Sequence, residues 1–356
     1  MSHKIMKSES EVTPHSARVG PILATGLTGF VGRRLAPMLA QQFGPDQVVA
    51  LVNSTDHSKQ EQEQRLRLHD LGIQTIPVDL STGTGADLIP ENSRCVIHLA
   101  SNTDTSSSNH EINERSTRLI LEKCSKSSEP TVIIFASTIA VYDNRSALQL
   151  SADEVSVLRR PLTIYGRSKL MCEEILESSA SIGKIRAVII RVPAVFGTGS
   201  RTGGLFDIAD TMTKKQSLIA RLNYPGKIGI VSVETLAEFI CAVAKEETSR
   251  SSPLDGSVTY LPVSENVTYS WLFHSRAADH KITLRSLEVP NIFWSIIRIV
   301  LRFLLKLEPI LPHRFHNRIW QMFLVTSGAY GCSPRYTWTE SPILHRRYST
   351  TTQVSQ

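Results

Sequence analysis

Between residues 21 and 241, short runs of Val, Ile and Leu alternate with longer stretches whose apolar positions recur at helical spacing. Read by period, the short runs predict strands over 21–25, 48–52, 75–77, 95–99, 131–136, 186–192 and 228–231. The longer stretches predict helices over 31–43, 61–71, 111–124, 165–180 and 233–245. The strand runs are continuously apolar rather than alternating, as expected when both faces of a sheet are covered. Strands separated by helices make βαβ crossovers, so the expected fold class is α/β, a doubly wound parallel sheet with a smaller, mostly helical C-terminal lobe. After Gly197 the regularity weakens. The expected organisation is a flexible tail over 1–19, a sheet domain over 20–250 with an excursion toward the lobe around 198–225, and the lobe itself over 251–356. The sheet strand near Ile228 is expected to return the chain from that excursion.

Composition adds one boundary. With 356 residues, 41% hydrophobic and 20% charged, the chain is neither disordered nor collagen-like. Its net charge of +6 is not spread evenly. Residues 291–356 hold eight Lys and Arg against two Glu, while the first 290 residues balance. Ten of the 23 aromatic residues lie in the same final segment. There, residues 291–307 (NIFWSIIRIVLRFLLKL) set Arg298, Arg302 and Lys306 at i, i+4, i+8 beside a broad apolar surface. This predicts an amphipathic helix that either packs on the lobe or lies against a lipid headgroup layer, a peripheral contact through 291–325. It is too charged to span a bilayer. The aliphatic interleaving and the lack of a binding motif argue against nucleic acid. The five cysteines are dispersed, with no metal-ligand spacing, and the polar N-terminus has no apolar signal core, so the expected setting is cytoplasmic, with the membrane surface as the alternative.

The first predicted strand runs into Gly26-Leu27-Thr28-Gly29-Phe30-Val31-Gly32 and then a helix. A glycine turn between a strand and a helix N-terminus lets the backbone approach a pyrophosphate and aims free N–H groups and the helix dipole at it. That predicts a dinucleotide site of Rossmann type. The second strand ends Val52-Asn53-Ser54, offering neither the acid that would select NAD nor the base that would select NADP, so the choice stays open. Further on, the strand before Ser137-Thr138 is followed by Tyr165-Gly166-Arg167-Ser168-Lys169 opening a helix. Tyr and Lys at i, i+4 share a face, and a neighbouring cation is expected to lower the phenol toward the range of a general base. Chance supplies roughly 0.3 such pairs in a chain of this composition, so the order of glycine turn, Ser-Thr strand end and Tyr/Lys pair carries the weight.

With these pieces, and with VDL at 78–80, VIHLAS at 96–101, INERST at 112–117, RVPAVFG at 191–197 and IVSVETLA at 230–237, the sequence resembles the extended short-chain dehydrogenases/reductases. These are the NAD-dependent nucleotide-sugar epimerases and dehydratases together with the 3β-hydroxysteroid dehydrogenases. The resemblance implies a catalytic set of Thr138, Tyr165 and Lys169. It implies a cofactor site of Gly26, Thr28, Gly29, Phe30, Val31, Gly32, Asn53, Asp79, Leu80, Ala100 and Pro193, with Tyr165 and Lys169 reaching the nicotinamide side. Asn113 matches the family's helix asparagine, and Glu234 stands where the family usually has Asp. The 4,6-dehydratases carry an Asp-Glu pair where this chain has Ile139-Ala140, which cannot move a proton, so that type of elimination is disfavoured. The expected activity is NAD(P)-dependent oxidation, reduction or epimerisation at a hydroxyl or keto group of a nucleotide-sugar. A steroid or lipid-alcohol dehydrogenase and a non-catalytic dinucleotide-binding subunit are the alternatives. A small-molecule substrate, and a homodimer as a further option, complete the expected partners.

Overall fold

The computed structural model describes residues 20–104, 107, 109–127, 129–142, 159, 161, 163–199, 205–250, 256–307, 319, 322–323 and 325–327. The predicted tail over 1–19, the segment 308–318 and residues from 328 onward lie outside them.

In chain order the elements are β1 (Ile22–Thr25), α1 (Gly32–Phe43), β2 (Val48–Val52), α2 (Lys59–Asp70), β3 (Gln74–Pro77), β4 (Cys95–His98), α3 (Glu111–Cys124) and β5 (Thr131–Thr138). There follow α4 (Ile164–Ser181), β6 (Ile185–Val192), β7 (Ala194–Phe196), α5 (Leu205–Lys214), β8 (Lys227–Ser232), α6 (Val233–Thr248), β9 (Ser257–Tyr260), β10 (Glu265–Thr268), α7 (Tyr269–Asp279) and α8 (Asn291–Lys306). Seven strands form a parallel sheet in the order β3-β2-β1-β4-β5-β6-β9. The order reverses between β1 and β4, which opens a crevice at their C-terminal ends.

Strand period explains the two cores. Ile22, Ala24, Val48, Ala50, Val132 and Ile134 face α1, α2 and α6, whereas their neighbours Leu23, Val49, Leu51 and Ile133 face α3 and α4. Helix starts are fixed by hydroxyl caps. Ser58, Thr163, Ser232 and Thr268 each accept a hydrogen bond from a backbone N–H in the first turn of the following helix.

Two expectations are corrected. The strand near Ile228 does not rejoin the main sheet. As β8 it lies in a separate three-stranded sheet between β7, parallel, and β10, antiparallel. The seventh main-sheet strand is β9, from the segment expected to belong wholly to the C-terminal lobe, and it pairs in parallel with β6. The lobe is built on the small sheet, with α5, α7 and the start of α8 packed around Tyr224, Phe273 and Trp294.

At the switch point, the Ala100 N–H donates to Thr25 Oγ1 at 3.0 Å, and Thr25 is hydrogen-bonded to His98 Nδ1 at 2.8 Å. Burial, with a smaller contribution from Lys169, holds the His98 imidazole down at about 3, hence neutral. A histidine neutral in the fold gives stability that is complete above pH 6.5 and lost as pH falls toward 3, since only the unfolded chain takes up the proton. Urea unfolding at pH 6.5 and 5.5 is expected to show wild type losing about 1 kcal/mol more than His98→Asn over that unit. Equal losses in the two proteins would reject this role.

Candidate active site

The glycine turn is built as a cradle. Gly26 has φ +75, and a Cβ on it would sit 2.8 Å from the Ala100 nitrogen. A Cβ on Gly32 would lie 2.1 Å from the Gly26 carbonyl oxygen and 2.4 Å from Leu27 Cα. Both positions therefore require glycine, and the start of α1 lies directly against the Gly26-Leu27 turn. The backbone closes with Gly29 N–H donating to Gly26 O at 3.0 Å. A dinucleotide pyrophosphate fits this arrangement, which leaves backbone and helix N-terminus where side chains would otherwise stand. Thr28, Phe30 and Val31 line the turn, partly exposed. The guanidinium groups of Arg33 and Arg34 lie 5.6 and 5.7 Å from the Phe30 ring centroid. Both arginines also reach the loop after β7. Arg34 donates to the Thr198 carbonyl at 2.6 Å and pairs with Glu234 at 3.7 Å, while Arg33 donates to the Gly199 carbonyl.

The outlying cofactor candidates follow. Ala100 borders the glycine turn, as expected. Asn53 is exposed at the end of β2, its Oδ1 accepting from the Thr55 N–H and hydroxyl. Its carbonyl accepts from Arg65 of α2, a cation that proximity in sequence does not reveal. Asp79 Oδ1 accepts from the Ser81 hydroxyl at 2.6 Å and N–H at 2.8 Å, bonds that hold the carboxyl below its usual range. Leu80 packs beside the α3/α4-facing core, and Pro193 is buried between β6 and β7.

Thr138, Tyr165 and Lys169 are brought together by β5 and α4. The strand runs two residues past its expected end, so Thr138 closes it, and Thr138 Oγ1 accepts from the Ala140 N–H at 3.2 Å. Tyr165 lies in the first turn of α4, with Lys169 one turn further along. Lys169 is 2% exposed. Its Nζ donates to the Ala136 carbonyl at 2.7 Å and lies 4.5 Å from the centre of the Phe135 ring. Burial lowers its ammonium to about 8, with Cys172 and Glu173 working the other way. The expected depression of the phenol is corrected here. Burial dominates and pushes Tyr165 up to about 12, against the lesser, lowering influence of the Thr138 hydroxyl. The phenol in this site is therefore protonated at neutral pH.

Four residues around the set do not announce themselves in sequence. Glu173, one turn beyond Lys169, is fully buried and accepts from Ser137 Oγ at 2.5 Å and from Arg191 Nη2 at 2.7 Å. Arg191 of β6 stands opposite Ser137 in register and also donates to the Tyr142 hydroxyl at 3.0 Å. Arg159 joins Glu173 at 3.3 Å. His110 lays its ring against Tyr165, centroids 5.6 Å apart. Asn113 is fully engaged, donating to Ser168 Oγ at 3.0 Å and to the Asn102 carbonyl at 3.1 Å. It ties α3 to the turn of α4 that carries Tyr165. Among the described residues no group of His, Cys, Asp and Glu could hold a metal ion, and Cys95, Cys124, Cys172 and Cys241 are free thiols.

A glycine cradle at the switch point of a doubly wound sheet, with a threonine–tyrosine–lysine cluster at the neighbouring strand end, defines a dinucleotide-dependent enzyme class. The chain belongs to the NAD dependent epimerase/dehydratase family, whose model matches residues 22–250. Its relatives include D-erythronate dehydrogenase of Haemophilus influenzae, 26% identical over 49% of this chain and 54% of that protein. Ceramide reductase of Caulobacter vibrioides is 24% identical over 73% of this chain and 70% of its own. The chain thus spans about half the length of the former. Among solved structures, a UDP-glucuronic acid 4-epimerase mutant from Bacillus cereus, in complex with a fluorinated UDP-sugar and NAD, superposes with a TM-score of 0.61 at 18% identity, covering 76% of this chain and 86% of that one. That likeness concerns the fold.

The Glu173 cluster yields a prediction. Glu173→Gln removes the charge that two arginines share, and breaking a buried pair on one side costs about 3 kcal/mol. Urea denaturation should register that loss; a variant as stable as wild type would show that the cluster does not brace α4.

Proposed function

We propose that the protein transfers hydride between NAD(P) and a carbon bearing a hydroxyl or keto group, with Tyr165 as acid/base. The observation that carries this reading is the meeting of Thr138, which closes β5, with the first turns of α4, where Lys169 is buried one helical turn beyond Tyr165 and its Nζ donates to the Ala136 carbonyl at 2.7 Å. When bound, the nicotinamide supplies the hydride acceptor or donor. In the reducing direction the Tyr165 phenol gives its proton to the substrate oxygen as charge develops there. Thr138 positions that oxygen with its hydroxyl, and the Lys169 ammonium stabilises the phenolate left behind. In the oxidising direction the proton returns to Tyr165. At neutral pH the Tyr165 phenol carries its proton, so the free site starts from the protonated form.

A nucleotide-sugar is the substrate class supported by family membership and by the UDP-sugar complex of the B. cereus fold relative. Ile139 is buried against Val141 and Leu261 and Ala140 has no ionisable group, which counts against dehydratase chemistry. A second reading is a lipid ketone or alcohol, favoured by the ceramide reductase alignment over 73% of the chain. Turnover of UDP- and dTDP-sugars, 3-ketosphingolipids and sterols, followed through NAD(P)H, separates them, and activity confined to lipids would remove the sugar reading. Tyr165→Phe is expected to lower kcat by about 10²–10⁴-fold while NADH still binds, as read by fluorescence titration. Undiminished turnover in this variant would rule out Tyr165 as the acid/base.

A further inference from the structure

The helix α8 divides its circumference into three sectors. One is buried, where the Trp294 ring packs on Tyr224 with centroids 5.2 Å apart and Leu301 and Leu305 close on Phe323. A second carries Ile292, Phe293, Ile296, Ile299, Val300 and Phe303, every one more than half exposed. At 3.6 residues per turn these six fall on a single continuous face. Arg298 and Arg302, one turn apart, run along the border between the two, and no Asp or Glu occurs from residue 289 to 307. Scattered exposed apolar side chains are ordinary, but six large ones in one patch expose several hundred Å², the scale that marks an interaction surface. The core already has its share of this helix, and among the described residues packing on the lobe does not account for the second face.

We propose that this face of α8 docks on an anionic lipid bilayer. The helix lies in the membrane plane, with the six apolar side chains in the headgroup–acyl boundary and the two arginines at lipid phosphates. Its 16 residues do not traverse the bilayer, and no helix among the described residues is long and apolar enough to cross a membrane. Charge decides between this partner and a second copy of the chain. Pairing α8 with its own mate would set arginine rows against each other with no acid on either helix to offset them. An anionic surface satisfies both the apolar face and its cationic border. The basic excess of the C-terminal segment then acts locally, since charges separated by more than about 10 Å are largely screened at moderate salt.

Flotation of the full-length protein tests this, using vesicles of phosphatidylcholine alone and with one-third phosphatidylglycerol. Wild type should float with the anionic vesicles and lose binding as salt rises. Ile299→Asp/Phe303→Asp should stay in the soluble fraction with an unaltered melting temperature. Should the aspartates disturb folding, Ile299→Ser/Phe303→Ser serves the same comparison. Arg298→Gln/Arg302→Gln should weaken partitioning about tenfold or more. Wild type that ignores anionic vesicles overturns the proposal, as does an apolar-face variant that floats as well as wild type. A dimer by light scattering that forms without vesicle binding and is dispersed by the same apolar-face substitutions also overturns it, assigning the face to a second copy.

Discussion

The Glu173 carboxylate has no solvent exposure, and it is shared among Ser137 of β5, Arg191 of β6 and Arg159. Burying a charge in this way is expensive unless its hydrogen bonds are complete, and here both oxygens are engaged. What the arrangement secures is position. Glu173 and Lys169 are i, i+4 on α4, so a carboxylate clamped to two strands also fixes the height and rotation of the lysine and of Tyr165 another turn back. Ser137 is adjacent to Thr138, so the same clamp holds the strand end. Arg191 reaches on to the Tyr142 hydroxyl beyond that end, binding the turn that follows β5. Helix, strand end and turn thus share one anchoring charge.

The sheet was legible wherever a strand is covered on both faces. Runs such as Val132-Ile133-Ile134-Phe135 read as buried strands because both alternating sets of side chains are apolar. Helix starts missed by a residue or two were set by the caps Ser58 and Thr163, whose effect lies just outside the apolar period. Strand partnership was not legible. Ile228–Val231 is as apolar as any main-sheet strand, yet β8 pairs with β7 and β10, whereas Ser257–Tyr260, short and partly polar, completes the main sheet. Local pattern reports that a segment is buried and extended, not which edge receives it.

At the site, the glycine spacing and the Tyr/Lys pair were readable because they are local, and the structure gathers Thr138, Tyr165 and Lys169 at one strand end. Glu173, Arg191, His110 and Arg65 were not, because their roles depend on partners brought together from distant elements. Glu173 looked like an ordinary helix acid, and Arg191 stood as a basic residue inside an apolar strand, which is the one signal that could have pointed to a buried partner. Arg65 likewise reaches the end of β2 only through the packing of α2.

The correction to Tyr165 has the same origin. Sequence supplies the neighbouring cation but not the burial, which acts on both groups of the pair in the sense that favours neutrality: the phenol rises and the ammonium falls. A phenolate–ammonium pair is therefore not the resting state of the free site. The protonated phenol is, backed by a lysine held by the Ala136 carbonyl and the Phe135 face. Protonation state is thus set by burial, while the geometry is set by the Glu173 anchor behind it. Pair spacing along α4 alone determines neither.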